Sequence, residues 1–235
     1  MVESQVRAND VTDVRLQDAM LRTPREVFAP KSMQCVAYME RDIEVAPGRY
    51  LIEARDFAKL MHAAAIKPTD LVLDIGCGSG YSTAILAALC ETVVGLEADE
   101  AMAEQAGARL AKLDISNAAM VAGDLVAGKP DQGPFDVIFI NGSVQEVPQA
   151  LLDQLAEGGR LAAIVSEGRV GRATVFRRGR DGATGRRVVF EDVGVAGAEE
   201  FAVTTPLFVA LGAFGQGTIG DHMNGPFRLQ VKPGG

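Results

Sequence analysis

The sequence predicts an α/β protein: a doubly wound, mostly parallel sheet with an N-terminal helical extension and a C-terminal hairpin. Three observations predict it. Between residues 69 and 165, short apolar runs alternate with segments of helical periodicity across links of two to six residues, the rhythm of parallel strands joined by crossover helices. The first strand of that series runs straight into a glycine-rich loop and then a helix. After Val165 the alternation stops, and two strand-like runs face each other across a glycine turn.

The elements follow in order. Residues 9–28 read as a helix: Asn9, Asp10 and Thr12 are cap-type residues, and Val14, Leu16, Met20 and Leu21 form a partial apolar stripe. Pro24 and Pro30 bracket a turn around Phe28, and residues 35–52 read as loop and extended structure around Pro47-Gly48. A second helix is expected over 53–66, where Phe57, Leu60, Met61 and Ala64 recur at helical spacing before Lys67-Pro68. Strands are expected at 71–75, 92–96, 118–121 and 135–140, and helices at 81–90, 101–113 and 148–155. Gly158-Gly159 reads as a turn into a strand at 160–165; residues 174–178 and 186–190 read as a hairpin. The chain thus divides into an extension (1–68) packing on the core, a core with its hairpin (69–211) and a Gly-rich tail (212–235).

Composition narrows the function. The chain has 235 residues, 48% hydrophobic and 23% charged, enough apolar matter for a sizeable core and too much for general disorder. Its 26 glycines show no period of three, which excludes collagen. A net charge of −8 argues against nucleic acid as a partner, because phosphate contacts rely on clustered Lys and Arg. Arg169, Arg172, Arg177, Arg178, Arg180, Arg186 and Arg187 do cluster. They read as solvated charge on a hairpin rather than as a contact for acidic peptide or RNA. Cys35, Cys77 and Cys90 form no CxxC pair, and His62 and His222 stand far apart, so no metal-ligand set is visible. The amino-terminal stretch lacks an apolar signal region, and no 18-residue apolar run predicts a membrane span. The expected setting is the cytoplasm, with reduced thiols.

The chemistry concentrates in Asp74-Ile75-Gly76-Cys77-Gly78-Ser79-Gly80-Tyr81. Glycines between a strand and a helix let backbone approach a ligand at a helix N-terminus. The spacing is D-x-G-x-G-x-G, with Tyr81 where a dinucleotide loop would place its third glycine. A diphosphate would be repelled by Asp74, whereas an α-ammonium would be attracted, and S-adenosylmethionine carries that ammonium and no phosphate. Glu97, at the next strand end, can accept from both ribose hydroxyls. Asp124 follows the third strand and can accept from an adenine amino group. Asn141 follows the fourth, where ligands bind in open α/β sheets. The alternatives are a plain glycine turn with solvated acids and, for Asn141, an ordinary turn. Cys77 reads as a small loop filler, not a nucleophile.

Over residues 6–208 the sequence resembles the protein-L-isoaspartate O-methyltransferase family, of the Rossmann-like class I S-adenosylmethionine-dependent methyltransferases. The resemblance is carried by Leu16-Gln-Asp-Ala-Met20, Thr23-Pro24-Arg25-Glu26-Val27-Phe28-Ala29-Pro30, Ala37-Tyr38 and the run from Gly78 to Ala87. Pro134-Phe135-Asp136-Val137-Ile138, Val147-Pro148 and Gln154-Leu155 with Gly158-Gly159-Arg160-Leu161 continue it in order. It implies S-adenosyl-L-methionine as cofactor and a protein or peptide substrate, methylated on a side-chain carboxylate at damaged Asp or Asn sites. It implies further that Asp74, Gly76, Gly78, Gly80, Glu97 and Asp124 line the cofactor site, and their neighbours Cys77, Tyr81, Ala98 and Leu125, with Asn141, are expected to bind the cofactor as well.

One segment departs from the family. Where the family carries Ser-Gln-Pro, whose serine lies by the transferred methyl, this chain carries Ile52-Glu53-Ala54. Glu53 in an acceptor pocket would repel a substrate carboxylate by about 3 kcal/mol at 5 Å and an effective dielectric near 20. Alternatively it caps the following helix or meets Arg49, Arg55 or the cofactor ammonium. The competing function is a divergent member with another acceptor, or a cofactor-binding protein without isoaspartyl activity.

Overall fold

The computed structural model describes residues 1–167 and 170–192. Arg169, the end of the expected core and the expected tail lie outside the described residues. The first helix, α1 (Val14–Arg22), is shorter than the expected 9–28. Asp13, not Asn9, Asp10 or Thr12, caps it by accepting from the Arg15 N–H at 2.9 Å, and Thr23 before Pro24 is extended, as a residue preceding proline prefers. Short 3-10 segments follow at Arg25–Phe28 and Lys31–Val36. The stretch expected to be loop and extended structure contains a hairpin, β1 (Ile43–Ala46) and β2 (Arg49–Leu51), turning at Gly48 with φ 68°. Strands of four and three residues are too short to show alternation, which is why sequence periodicity passes them over.

Helix α2 (Ala54–Ala64) buries Phe57, Leu60, Met61 and Ala64, the stripe its spacing dictates. It ends at Ala65, which adopts a left-handed conformation, φ 49° and ψ 54°, with its side chain exposed. Alanine pays a steric cost there that glycine does not. Ala65→Gly should therefore stabilise the protein by about 0.5–1 kcal/mol, raising Tm by roughly 2 °C. A melting curve unchanged or shifted downward would refute this account of the cap.

Next come β3 (Leu71–Ile75), α3 (Tyr81–Ala87), β4 (Thr92–Glu97), α4 (Glu100–Lys112) and β5 (Ala118–Ala122). They are followed by β6 (Phe135–Val144), α5 (Gln149–Leu152), β7 (Leu155–Glu167), β8 (Val170–Arg178) and β9 (Thr184–Asp192). The helix expected at 148–155 is one turn. Gly158-Gly159 lies within β7, where the register with β6 slips between Phe135↔Leu155 and Val137↔Arg160. The glycine pair is thus a bulge within a strand, a role glycine shares with turns.

The sheet runs β5-β4-β3-β6-β7-β8-β9, parallel from β5 through β7 and antiparallel across the last two pairs. This is the expected α/β architecture with its C-terminal hairpin. Alternate residues of the central strands feed two cores. Val72, Val93 and Val137 face a cluster shared with the extension and α2, while Leu73, Val94 and Ile138 face one shared with α5. Arg160 on β7 ties the extension down, donating to the Ala64 and Ala65 carbonyls at 2.7 and 2.5 Å and pairing with Asp70 at 2.5 Å. In the C-terminal hairpin Arg178 donates to the Asp153 and Leu155 carbonyls, and Arg172 pairs with Glu191.

Candidate functional site

β4 and β6 flank β3 on opposite sides, so the chain reverses direction of winding at the carboxyl end of β3, the usual crevice for a ligand in an open α/β sheet. The residues singled out from sequence converge there. Gly76, Gly78 and Gly80 take φ of 70°, 54° and 93°, a left-handed series that residues with side chains avoid. The Gly76 N–H donates to the Leu96 carbonyl at 2.9 Å, and Asn141 Nδ2 donates to the Gly76 carbonyl at 3.2 Å. The Gly78 N–H donates to Glu97 Oε2 at 2.9 Å and the Ala98 N–H to Glu97 Oε1 at 2.8 Å. Glu97 thereby fixes the middle of the loop and the start of the next turn. The Gly123 N–H, bonded to the Glu97 carbonyl at 2.9 Å, brings Asp124 to the same edge. Asp124 is exposed and accepts from the Val126 N–H at 2.8 Å, whereas Leu125 is fully buried in the second core.

Asp74 is fully buried at the end of β3. Its Oδ2 accepts from the Ser82 and Thr83 hydroxyls, each at 2.7 Å, while Oδ1 has no hydrogen-bond partner. Burial, with a smaller push from Glu97, raises its pKa to about 7 against the pull of the two hydroxyls. Cys77 is buried beside it, and burial followed by the charges of Asp74 and Glu97 pushes its thiol well above the usual range. That keeps it protonated and unreactive, so it fills the loop.

Tyr81 does a different job from the glycines before it. Its ring meets Phe28 edge-on at 5.5 Å and Phe57 at 5.4 Å, and the Arg25 guanidinium lies 4.9 Å above it. Arg25 in turn donates to the Ala37 carbonyl at 2.8 Å and the Ile52 carbonyl at 2.7 Å. The Pro-Arg-Glu segment therefore clamps Ile52 and the glycine-loop helix together. Ile52 is buried, and the Glu53 N–H donates to Asp42 at 2.7 Å. The Glu53 side chain meets Arg55 at 2.9 Å. It makes no side-chain cap on α2.

Arg49 is the site residue that sequence reasoning missed. The sequence offers it only as a partner for Glu53, yet its Nη2 and Nε lie 3.0 and 3.1 Å from Glu97 Oε1. The two are 48 positions apart, and only the register of the β1–β2 hairpin brings them together.

A glycine cradle, a buried acid with an unused oxygen and a second acid at the adjacent strand end suit an ammonium and a pair of ribose hydroxyls. On this sheet they define a class I S-adenosylmethionine-dependent methyltransferase. The sequence model of the family Protein-L-isoaspartate(D-aspartate) O-methyltransferase (PCMT) matches residues 1–194, and the chain belongs to that family. It is similar to the protein-L-isoaspartate O-methyltransferase of Methanoculleus marisnigri, 38% identical over 70% of this chain and 75% of that one. The corresponding enzyme of Methylorubrum populi is 37% identical over 77% of this chain and 84% of its own. A solved protein-L-isoaspartate O-methyltransferase superposes with a TM-score of 0.70 at 26% identity, covering 86% of this chain and 67% of the other. A Plasmodium falciparum structure described as a complex with S-adenosyl-L-homocysteine shares the fold, with a TM-score of 0.69 at 21% identity over 81% of this chain and 93% of its own. Among the described residues no helix is long and apolar enough to cross a membrane.

Proposed function

We propose that this protein transfers a methyl group from S-adenosylmethionine to the side-chain carboxylate of isoaspartyl sites in damaged proteins. The observation that carries the reading is the convergence of Asp74, the glycine loop and Glu97 at the winding reversal of a sheet belonging to this family. When bound, S-adenosylmethionine supplies an electrophilic methyl on a sulfonium centre. Asp74 Oδ1 is the acceptor for its ammonium, Gly76, Gly78 and Gly80 leave room for its backbone-side approach, and Glu97 receives the ribose. Asp124 and Asn141 complete the rim, with Cys77 and Ala98 beside the loop and with Tyr81 and Leu125 supporting it from the two cores behind. The absence of a side-chain base by Ile52 is compatible with this chemistry, since a carboxylate acceptor is already ionised near neutral pH. What the protein must supply is alignment and exclusion of water. The Arg25 clamp on the Ile52 carbonyl supplies rigidity, and the buried Ile52 side chain supplies the dry wall. Glu53 sits against Arg55, which offsets the repulsion its bare charge would impose on an acceptor.

The three cysteines are all unbridged, which fits a reducing compartment, and we place the protein in the cytoplasm. The test is labelled methyl transfer from S-adenosylmethionine to an isoaspartyl peptide and to its aspartyl counterpart. Alkali-labile label is expected on the isoaspartyl peptide alone. Ile52→Ser, which restores a hydroxyl beside the acceptor, should raise kcat/KM about tenfold, the worth of one hydrogen bond made in the transition state. Cofactor binding without any ester formation by either protein would overturn the reading.

A further inference from the structure

Glu97, the acid assigned above to the ribose, is already fully engaged. Its Oε1 accepts from Arg49 Nε and Nη2 and from the Ala98 N–H, its Oε2 accepts from the Gly78 N–H, and none of the residue reaches solvent. A carboxylate offers about four acceptor positions, so two ribose hydroxyls cannot join this set while the guanidinium stays. The two amide donors belong to the loop itself, which leaves Arg49 as the group to be displaced. It opens β2, directly after Gly48 at φ 68°. The same hairpin also covers the loop: a Cβ placed on Gly78 would touch Val45 Cγ2 at 3.9 Å.

From this geometry we propose that Arg49 is an affinity-setting residue of the cofactor site, an intramolecular competitor that holds the ribose-binding carboxylate until a nucleoside displaces it. The β1–β2 hairpin is then the lid that must shift for the cofactor to enter. Apparent affinity falls by the fraction of time the carboxylate is open, and a residue that cannot form the pair removes that penalty. The coupling is reciprocal, so bound nucleoside loosens the hairpin. The proposal rests on the reading of Glu97 as the ribose acid.

The test is calorimetric titration of the full chain, wild type and Arg49→Gln, with S-adenosylhomocysteine and with adenosine. Both probes carry the ribose. The variant is expected to bind each about tenfold more tightly. It should also melt at a lower temperature alone and gain more from saturating ligand than wild type does. Arg49→Lys keeps the charge but loses the planar fork, so an intermediate Kd is expected from a variant that preserves the hairpin. Equal or weaker binding by both variants, against measurable wild-type binding, overturns the competitor role alone. Failure of all three proteins to bind either probe overturns the ribose assignment together with it.

Discussion

Glu97→Ala is expected to lower stability by about 3 kcal/mol and to remove measurable cofactor binding. The magnitude follows from what the carboxylate satisfies. Its loss strands the buried Gly78 N–H and the Ala98 N–H, and it leaves the Arg49 guanidinium without its ion-pair partner in a nearly dry site. Removing one member of a buried pair typically costs about 3–5 kcal/mol, because the other charge stays desolvated. Arg49 can swing outward on its hairpin, which holds the cost near the lower end. In a chain of this size the corresponding drop in Tm is about 6–12 °C. Affinity for S-adenosylhomocysteine should fall by at least about a hundredfold, as two hydroxyl acceptors vanish and the loop loses its tether. Glu97→Gln keeps one acceptor oxygen and should lie between. Glu91→Ala, an exposed acid just before the opposite end of that strand, is the control expected within about 0.5 kcal/mol of wild type. A melt of Glu97→Ala that overlays this control would show that the carboxylate does not organise the loop.

Glu97 also shows how far the sequence can be read. Its identity as a strand-end acid is a local property: an apolar run from Thr92 ends on it, and the run is visible because β4 is covered on both faces. The same locality makes Asp74 and the three glycines legible, and with them the parallel order of the sheet. The Arg49 pairing depends instead on where a nine-residue hairpin lands, and no periodicity encodes that. The same reason hides the bulge at Gly158-Gly159, where the glycine pair is compatible with either a turn or an interrupted ladder. The shortened first helix is a third case. Asp13 outcompetes the earlier cap-type residues because its carboxylate reaches the Arg15 N–H and also the Arg15 guanidinium at 2.8 Å, an ion pair that no capping rule includes. The packing role of Tyr81 is hidden in the sequence as well. Its contacts with Phe28, Phe57 and Arg25 come from three segments that meet only in the folded chain.

Asp74 is where fold stability and function pull in opposite directions, and pH separates them. Its pKa rises from the ordinary value of 3.8 to about 7 in the folded chain, chiefly through burial. A carboxyl whose folded pKa is raised favours folding most below its unfolded pKa, and that contribution is lost as pH rises through the folded pKa. The penalty for holding Asp74 charged therefore grows between about pH 4 and pH 7 and is constant above. Asp74→Asn carries no such penalty. It should fall below wild type by about 2 kcal/mol near pH 4, the cost of one unsatisfied amide, and exceed it by about 2 kcal/mol at pH 8, where the three-unit shift adds about 4 kcal/mol. Cofactor binding should show the reverse. On the proposed pairing of the ammonium with the ionised carboxylate, wild-type affinity for S-adenosylhomocysteine should rise about tenfold from pH 6 to pH 8 and level off above. Asp74→Asn should bind at least about a hundredfold more weakly, with no slope over that range. Melting curves across pH 4–8 and titrations at pH 6, 7 and 8 measure both arms. A variant that loses affinity and stability together at every pH would mean that Asp74 is a structural acid held by Ser82 and Thr83. A variant more stable at pH 8 yet unable to bind identifies it as a charge the fold tolerates only for the sake of the ligand, the usual trade between stability and activity at a binding site.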